Sequence, residues 1–432
     1  MYTTDTICAI ATAERGAIGI VRISGNDAIT AADRIFTPKH GKPLRERAAN
    51  SVVFGIISDD DDEIIDEVLA TVFRVPHSYT GEDSVELACH GSRYILNKVL
   101  ELLLKNGCRM ANPGEYTQRA YLNGKMDLSQ AEAVADLIAS NSRASHRIAM
   151  NQMRGGISNK LADLRTKLLH LTSLLELELD FSDHEDLAFA DRTELKNLTE
   201  EIVTEIERLT ANFKHGNALK NGISVAIIGA PNVGKSTLLN ALLRDSRAIV
   251  SNIGGTTRDL IEDTREIDGV LFRFIDTAGL RETDDEIEQM GIERSVQAAK
   301  KAQIILLVTE PEVAYPIIET DEEQIVIKIL NKTDDFQALH GIGIEWLETE
   351  LIKAVPKIND DNVLITNLRH KQALENAYEA ISRAKISIIH DISPDLVAED
   401  LRLCVSYLGE IVGKINSDDI LQNIFSHFCV GK

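Results

Sequence analysis

The segment Gly229-Ala230-Pro231-Asn232-Val233-Gly234-Lys235-Ser236 fits the pattern GxxxxGK[ST]. Its context constrains the fold as much as its letters do. The apolar run Ser224-Val225-Ala226-Ile227-Ile228 precedes it and reads as a strand, and Thr237-Leu238-Leu239-Asn240-Ala241-Leu242 follows it and reads as a helix. A strand, a glycine-rich turn and a helix are what a phosphate loop requires. The glycines let backbone N–H groups wrap phosphate oxygens at the helix N-terminus. Lys235 then reaches the β- and γ-phosphates, and Ser236 supplies a hydroxyl to Mg²⁺.

Two further motifs follow in order. Asp276-Thr277-Ala278-Gly279 comes after the strand-like Leu271-Phe272-Arg273-Phe274-Ile275. Its carboxylate suits water-mediated Mg²⁺ binding, and the Gly279 N–H suits a γ-phosphate contact. Asn331-Lys332-Thr333-Asp334 comes after the apolar run Ile325 to Leu330. The Asp334 carboxylate suits the paired N1–H and N2–H₂ donors of guanine, which adenine lacks, so GTP is expected over ATP. Between the first and second motifs lies Ser251-Asn252-Ile253-Gly254-Gly255-Thr256-Thr257-Arg258-Asp259. A threonine there completes a Mg²⁺ shell when γ-phosphate is present, with Thr257 first in order and Thr256 second. After Gly279 stands Leu280, which cannot hydrogen-bond an attacking water, so another group must orient it. Glu282, Asp284, Asp285, Glu286 and Glu288 all lie within reach in sequence.

The 432 residues suggest about three domains. Residues 1–120 mix short strand patterns with glycine and proline. Ile18 to Ile23, Val68 to Phe73 and Val85 to Cys89 read as strands, and Tyr94 to Leu104 as a helix, giving an α+β domain. Residues 121–216 carry helical stripes: Ser129 and Glu132 have capping-box spacing, Leu161, Leu164, Leu168, Leu171 and Leu175 form one stripe, and Ile202, Ile206 and Leu209 another. Residues 217–367 alternate apolar strands with helical stretches, which predicts a parallel sheet covered by helices. From 368–432 the helical pattern returns. Helix, then α/β, then helix points to an α/β domain inserted in a helical one. The run Asp59-Asp60-Asp61-Asp62-Glu63 reads as a solvated hairpin tip.

Composition excludes several classes. The run Ile304 to Val308 has five apolar residues, too few for a bilayer, so no membrane association is expected. Met1 to Asp5 has no basic or apolar signal character, and a cytoplasmic protein is expected. The 46 basic and 68 acidic residues leave a net charge of −22, so nucleic acid is not held by bulk attraction. A local basic group exists: Arg143, Arg147, Arg154, Lys160, Arg165 and Lys167. On a continuous helix Arg143, Arg147, Arg154 and Arg165 share a face, which Gly155-Gly156 interrupts. That face suits nucleic-acid phosphates or plain solvation. The cysteines Cys8, Cys89, Cys108, Cys404 and Cys429 are odd in number and lack CxxC spacing, which argues against a disulfide framework or structural zinc.

The chain resembles the MnmE (TrmE) family of tRNA modification GTPases over nearly its whole length. The likeness rests on Arg15 to Gly25, Tyr79 to Leu87, Asn112-Pro113-Gly114-Glu115-Tyr116, Leu122 to Leu128, the nucleotide motifs with Gly254-Gly255-Thr256-Thr257-Arg258-Asp259, and the terminal Cys429-Val430-Gly431-Lys432. The resemblance implies a multidomain α/β fold: an N-terminal α+β folate-binding and dimerisation domain, a helical-bundle domain, and an inserted Ras-like P-loop GTPase domain. It implies a K⁺-dependent GTPase that modifies the tRNA wobble uridine at C5 as a homodimer. The flavoprotein MnmG would be its partner, and 5-formyltetrahydrofolate or a related tetrahydrofolate the one-carbon donor.

The resemblance also implies residue roles. GTP binding falls to Asn232, Val233, Gly234, Lys235, Ser236 and Thr237, to Ser251 through Thr257, to Asp276, Thr277, Ala278 and Gly279, and to Asn331, Lys332 and Asp334. K⁺ would take Asn232, Ser251, Ile253 and Thr256, and Mg²⁺ would take Ser236 and Thr257. Glu288 maps onto the water-orienting acid. Folate would meet Arg22, Glu86, Lys125 and Lys432. Cys429 stands beside that site, with nucleophile, structural contact and bystander all open.

One departure stands out. After Asp334 a further strand ending in a guanine-packing Ser-Ala-Lys is expected, yet the chain runs Asp335-Phe336-Gln337-Ala338-Leu339-His340-Gly341. The last strand of the GTPase domain is therefore expected to be deleted or shortened. That departure supports one alternative, a folate-binding scaffold with a degraded G domain; a ribosome-assembly GTPase is a second, against which the folate motifs and Cys429-Val430-Gly431-Lys432 argue.

Overall fold

The computed structural model describes residues 5–13, 16–180, 192–243, 262–275, 300–321, 323–355, 363–390, 392–414, 418–426 and 428–431. The chain forms two compact units. One comprises residues 1–138, 153–159 and 405–432; the other comprises 139–152 and 160–404.

The first unit is built on a seven-stranded sheet of β1 (Ile7–Ile10), β2 (Ile18–Ser24), β3 (Phe36–Pro38), β4 (Ser51–Ser58), β5 (Ile64–Phe73), β6 (Ser84–His90) and β7 (Arg109–Met110), in the order β3-β4-β5-β6-β2-β1-β7. Helices α1 (Ala28–Ile35) and α2 (Arg93–Lys105) share its core: Leu96, Val99, Leu102 and Leu103 of α2 pack with Val21, Ile23, Val72, Val85 and Leu87. Strict alternation makes this possible, since Asp66, Val68, Ala70 and Val72 of β5 all turn inward. The other face is partly open. Phe54, Leu69, Ala88 and Ile20 lie opposite one another across four strands, and Phe54 and Leu69 are exposed. The acidic run Asp59–Glu63 closes the β4–β5 hairpin as expected, with the Asp59 carboxylate accepting from the N–H groups of Asp61 and Glu63.

Helices α3 (Glu115–Leu122) and α4 (Leu128–Ala139) follow. The capping box of α4 is not Ser129 with Glu132. The Gln130 N–H donates to Asp127 Oδ1 and the Asp127 N–H donates to Gln130 Oε1, both at 2.9 Å. Ser129 and Glu132 lie buried inside the helix. Spacing alone fits both pairs, and burial of Leu128 sets the register two residues earlier.

Helices α5 (Arg143–Met153) and α6 (Gly156–Asp180) are separate, broken at Arg154 and Gly155, the latter at φ +85°. The continuous arginine face over 143–165 is therefore not formed. Helices α7 (Arg192–Ala211) and α8 (Phe213–Asn221) lead into the second sheet: β8 (Ile223–Gly229), helix α9 (Lys235–Leu243), β9 (Glu262–Ile267), β10 (Val270–Ile275), β11 (Ile304–Thr309) and β12 (Ile325–Leu330). Its order is β12-β11-β8-β10-β9, with only β9 antiparallel to its neighbour. The central strand β8 is buried on both faces, which explains its unbroken apolar run. After β12 the described residues contain no strand. The chain makes a 3₁₀ turn at Ala338–His340 and enters α10 (Ile344–Lys353). Helix α11 (Leu368–Ile389) follows, its N-cap Asn367 accepting from the Arg369 N–H, then α12 (Pro394–Ile411) and α13 (Asp418–Ser426). Leu421 and Phe425 of α13 pack with Leu128 and Ala131 in the first unit.

Candidate functional site

The phosphate-loop motif turns between β8 and α9 at the carboxyl ends of the parallel strands, where crevices for ligands form in open α/β sheets. Asn232 and Gly234 both adopt left-handed backbone, at φ +65° and +96°. Gly234 is required there twice over. Its φ suits glycine, and an added Cβ would stand 2.4 Å from Asn331 Nδ2.

Asn331 is the hinge-pin of this site. Its Nδ2 donates to Val233 O at 2.8 Å, and its Oδ1 accepts from the Ala338 N–H at 3.1 Å. One buried side chain thus ties the phosphate loop to the turn that replaces the expected strand. Lys332, at φ +63°, sends its Nζ to Asn232 O at 3.0 Å and pairs with the Glu310 carboxylate. Thr333 Oγ1 accepts from the Phe336 N–H, and its own N–H donates to Phe336 O. Asp334 is left exposed beside this turn. Lys235 Nζ donates to Gly229 O and Ala230 O at 3.0 and 2.9 Å, and burial pushes its pKa down from 10.5. Ser236 is exposed and Thr237 half-buried on the first turn of α9.

The sites expected at Ser251, Asn252, Ile253, Gly254, Gly255, Thr256 and Thr257, at Asp276, Thr277, Ala278 and Gly279, and at Glu288 and Lys432 lie outside the described residues.

A second cluster forms in the first unit. Arg22 and Glu86 are directly opposed on β2 and β6. Arg22 Nε and Nη2 both reach Glu86 Oε1, at 2.9 and 2.8 Å. Arg22 Nη1 donates to Gly431 O at 3.2 Å, which docks the C-terminal turn on the sheet. The Arg22 guanidinium lies 5.7 Å from the Tyr79 ring centre and 5.6 Å from that of Tyr116. Tyr116 is buried and donates to Arg22 O at 2.8 Å; burial pushes its pKa up. The Cys429 carbonyl accepts from the Gly114 N–H, while the residue itself is exposed. Lys125 sits on the loop that carries Tyr79. Its Nζ donates to Pro76 O at 2.9 Å, and its stem borders Gly81.

Sequence reasoning missed Tyr79 and Tyr116 as parts of this cluster, although both stand inside motifs it singled out. Nothing in their spacing signals that they flank an arginine. It also missed Glu310 and Ala338, whose roles depend on where β11 and β12 end.

Residues 128–429 match the family model for the MnmE helical domain, and residues 6–125 match that for the GTP-binding protein TrmE N-terminus. The chain belongs to the MnmE family. It is 51% identical to the tRNA modification GTPase MnmE of Bacteroides thetaiotaomicron, over 464 positions that cover 99% of each chain. The MnmE of Phocaeicola vulgatus is 50% identical over 498 positions, covering all of both chains. That of Porphyromonas gingivalis is 46% identical over 471, covering 100% of this chain and 99% of that one. The first of these comparisons spans 464 positions against 432 residues here, so at least 32 of them have no counterpart in this chain.

Proposed function

We propose that this chain is a GTPase of tRNA modification, acting on the wobble uridine at C5 with a tetrahydrofolate one-carbon donor. The observation that carries the nucleotide part is Asn331, whose side chain joins the phosphate loop to the turn at Ala338. A nucleotide there would place its phosphates on the N–H groups of Gly234, Lys235 and Ser236, and its base beside Asp334. Lys332 and Ala338 would border the base. The shortened sheet leaves these parts anchored, which favours a working G domain over a decayed one.

Ser236 and Thr257 would hold Mg²⁺, and Asn232, Ser251, Ile253 and Thr256 would hold K⁺. The fit at Asn232 rests on an exposed residue in a left-handed turn, whose amide makes no hydrogen bond among the described residues. K⁺ would supply positive charge to the phosphates. Glu288 would orient the attacking water. For folate, the paired Arg22 and Glu86 offer donors and acceptors, Tyr79 offers an apolar ring, and Lys125 and Lys432 add positive charge. Cys429 would stand close by.

The open sheet face with Phe54, Leu69 and Ile18 leads by register to the Arg22–Glu86 row, and we assign it to the homodimer. The domains would run 1–120, 121–216, 217–367 and 368–432, with the G domain inserted. MnmG and tRNA would be partners of a cytoplasmic protein. Deleting the gene and measuring tRNA nucleosides by mass spectrometry tests this reading. Loss of the C5-modified wobble uridine, restored by the intact gene, is expected; an unchanged nucleoside profile would contradict it.

A further inference from the structure

The turn after β11 carries a carboxylate that the nucleotide motifs do not account for. Thr309 ends the strand buried, its Oγ1 donating to Val313 O at 2.8 Å, while the Val313 N–H donates to Glu310 O. Glu312 takes left-handed backbone at φ +72° to close this turn. The Asn331 N–H donates to Thr309 O at 2.7 Å and so aligns the ends of β11 and β12. Glu310 is thereby delivered to the carboxyl end of the sheet, on the side where Lys332 begins.

A carboxylate at that end of the strands repels a polyphosphate ligand unless it is neutralised. Lys332 neutralises it. The same ammonium donates to Asn232 O in the phosphate loop. Lys332 is therefore held at both a carboxylate and a carbonyl, and its four-carbon stem bridges from the end of β12 to the phosphate loop. A free lysine stem carries large rotamer entropy, which ligand binding would otherwise have to remove.

We propose that Glu310 is a positioning residue for nucleotide binding: it fixes Lys332 as a preset wall of the base site and thereby slows nucleotide release. This rests on the nucleotide reading above. The side chains of Lys332 and Glu310 are 52% and 28% exposed, so the effect is that of a solvent-screened pair, a factor of about three to five.

The test is stopped-flow dissociation of mant-GDP from the full chain. Glu310→Gln is expected to raise the dissociation rate about three- to five-fold while the association rate and thermal midpoint stay near wild type. Glu310→Asp should recover part of the slow release. In a Lys332→Ala background, Glu310→Gln should no longer accelerate release, because the slowing acts through Lys332 and an unpaired carboxylate only repels the phosphates. With wild-type binding intact, an unchanged rate in Glu310→Gln would overturn the positioning role alone. So would the same acceleration in the Lys332→Ala background. If the wild-type chain binds neither mant-GDP nor mant-GTP, the nucleotide reading falls, and this inference with it.

Discussion

Arg22 and Glu86 face each other in register across β2 and β6, and two guanidinium nitrogens of Arg22 converge on one oxygen of Glu86. The third nitrogen holds Gly431, so one arginine fixes both the carboxylate and the C-terminal turn. Arg22→Ala should weaken 5-formyltetrahydrofolate binding at least about tenfold, since hydrogen bonds to charged groups contribute about 1.5–3 kcal/mol. Isothermal titration checks this, and unchanged affinity would remove Arg22 from the site. Deleting Gly431 and Lys432 should weaken the same titration.

Asn331→Ala should leave the Val233 carbonyl and the Ala338 N–H without their side-chain partner. Such losses cost about 1–3 kcal/mol in a buried setting. Urea unfolding should show that loss, and guanine nucleotide affinity should fall more than stability does, because two walls of the crevice separate. Asn331→Asp can still accept from the Ala338 N–H but loses the donor to Val233, so it should weaken nucleotide affinity through that bond alone.

Lys235 titrates below its ordinary value in the free chain because it is partly buried. A bound phosphate would favour its charged form and raise that value again, so nucleotide binding takes up a proton at alkaline pH, where the free lysine has begun to lose its own. Affinity for GTP should therefore fall as pH rises through the depressed value. A flat affinity profile there would contradict the contact.

Glu115 carries a different pH dependence. Burial raises its pKa, but the Arg109 pair, the Asn112 N–H and Arg119 outweigh it, and the net shift is downward from 4.5. Its stabilising contribution is thus fully present above 4.5 and is lost as pH falls through the lower folded value. Glu115→Gln should cost about 3 kcal/mol at neutral pH, the lower end for a broken buried pair, because Arg119 keeps Asp5 and Glu82. Thermal unfolding of wild type and variant should converge in acid.

Much of this site is written locally in the chain. A strand, a turn of fixed glycines and a helix need only neighbours in sequence, so Gly229 to Leu242 was readable. Strand β6 was readable from alternation and β8 from its apolar run. What escaped depends on contacts between distant segments. Asp127 with Gln130 and Ser129 with Glu132 share one spacing, and only the burial of Leu128, Ser129 and Glu132 decides between them. Arg154 reads as part of a helical face until Gly155 turns the chain. Tyr79 and Tyr116 become partners of Arg22 only once β2, the 76–83 loop and α3 meet. The expected loss of a strand after Asp334 did appear, but not the compensating bond from Ala338 to Asn331.

The most direct test of the central claim is phosphate release from GTP by the purified chain, in KCl and in NaCl at equal ionic strength, with ATP as control. The account predicts GTP turnover that is faster in K⁺, little ATP turnover, and loss of hydrolysis with retained binding in Glu288→Ala. No GTP turnover in either salt would contradict it, despite the anchored phosphate loop.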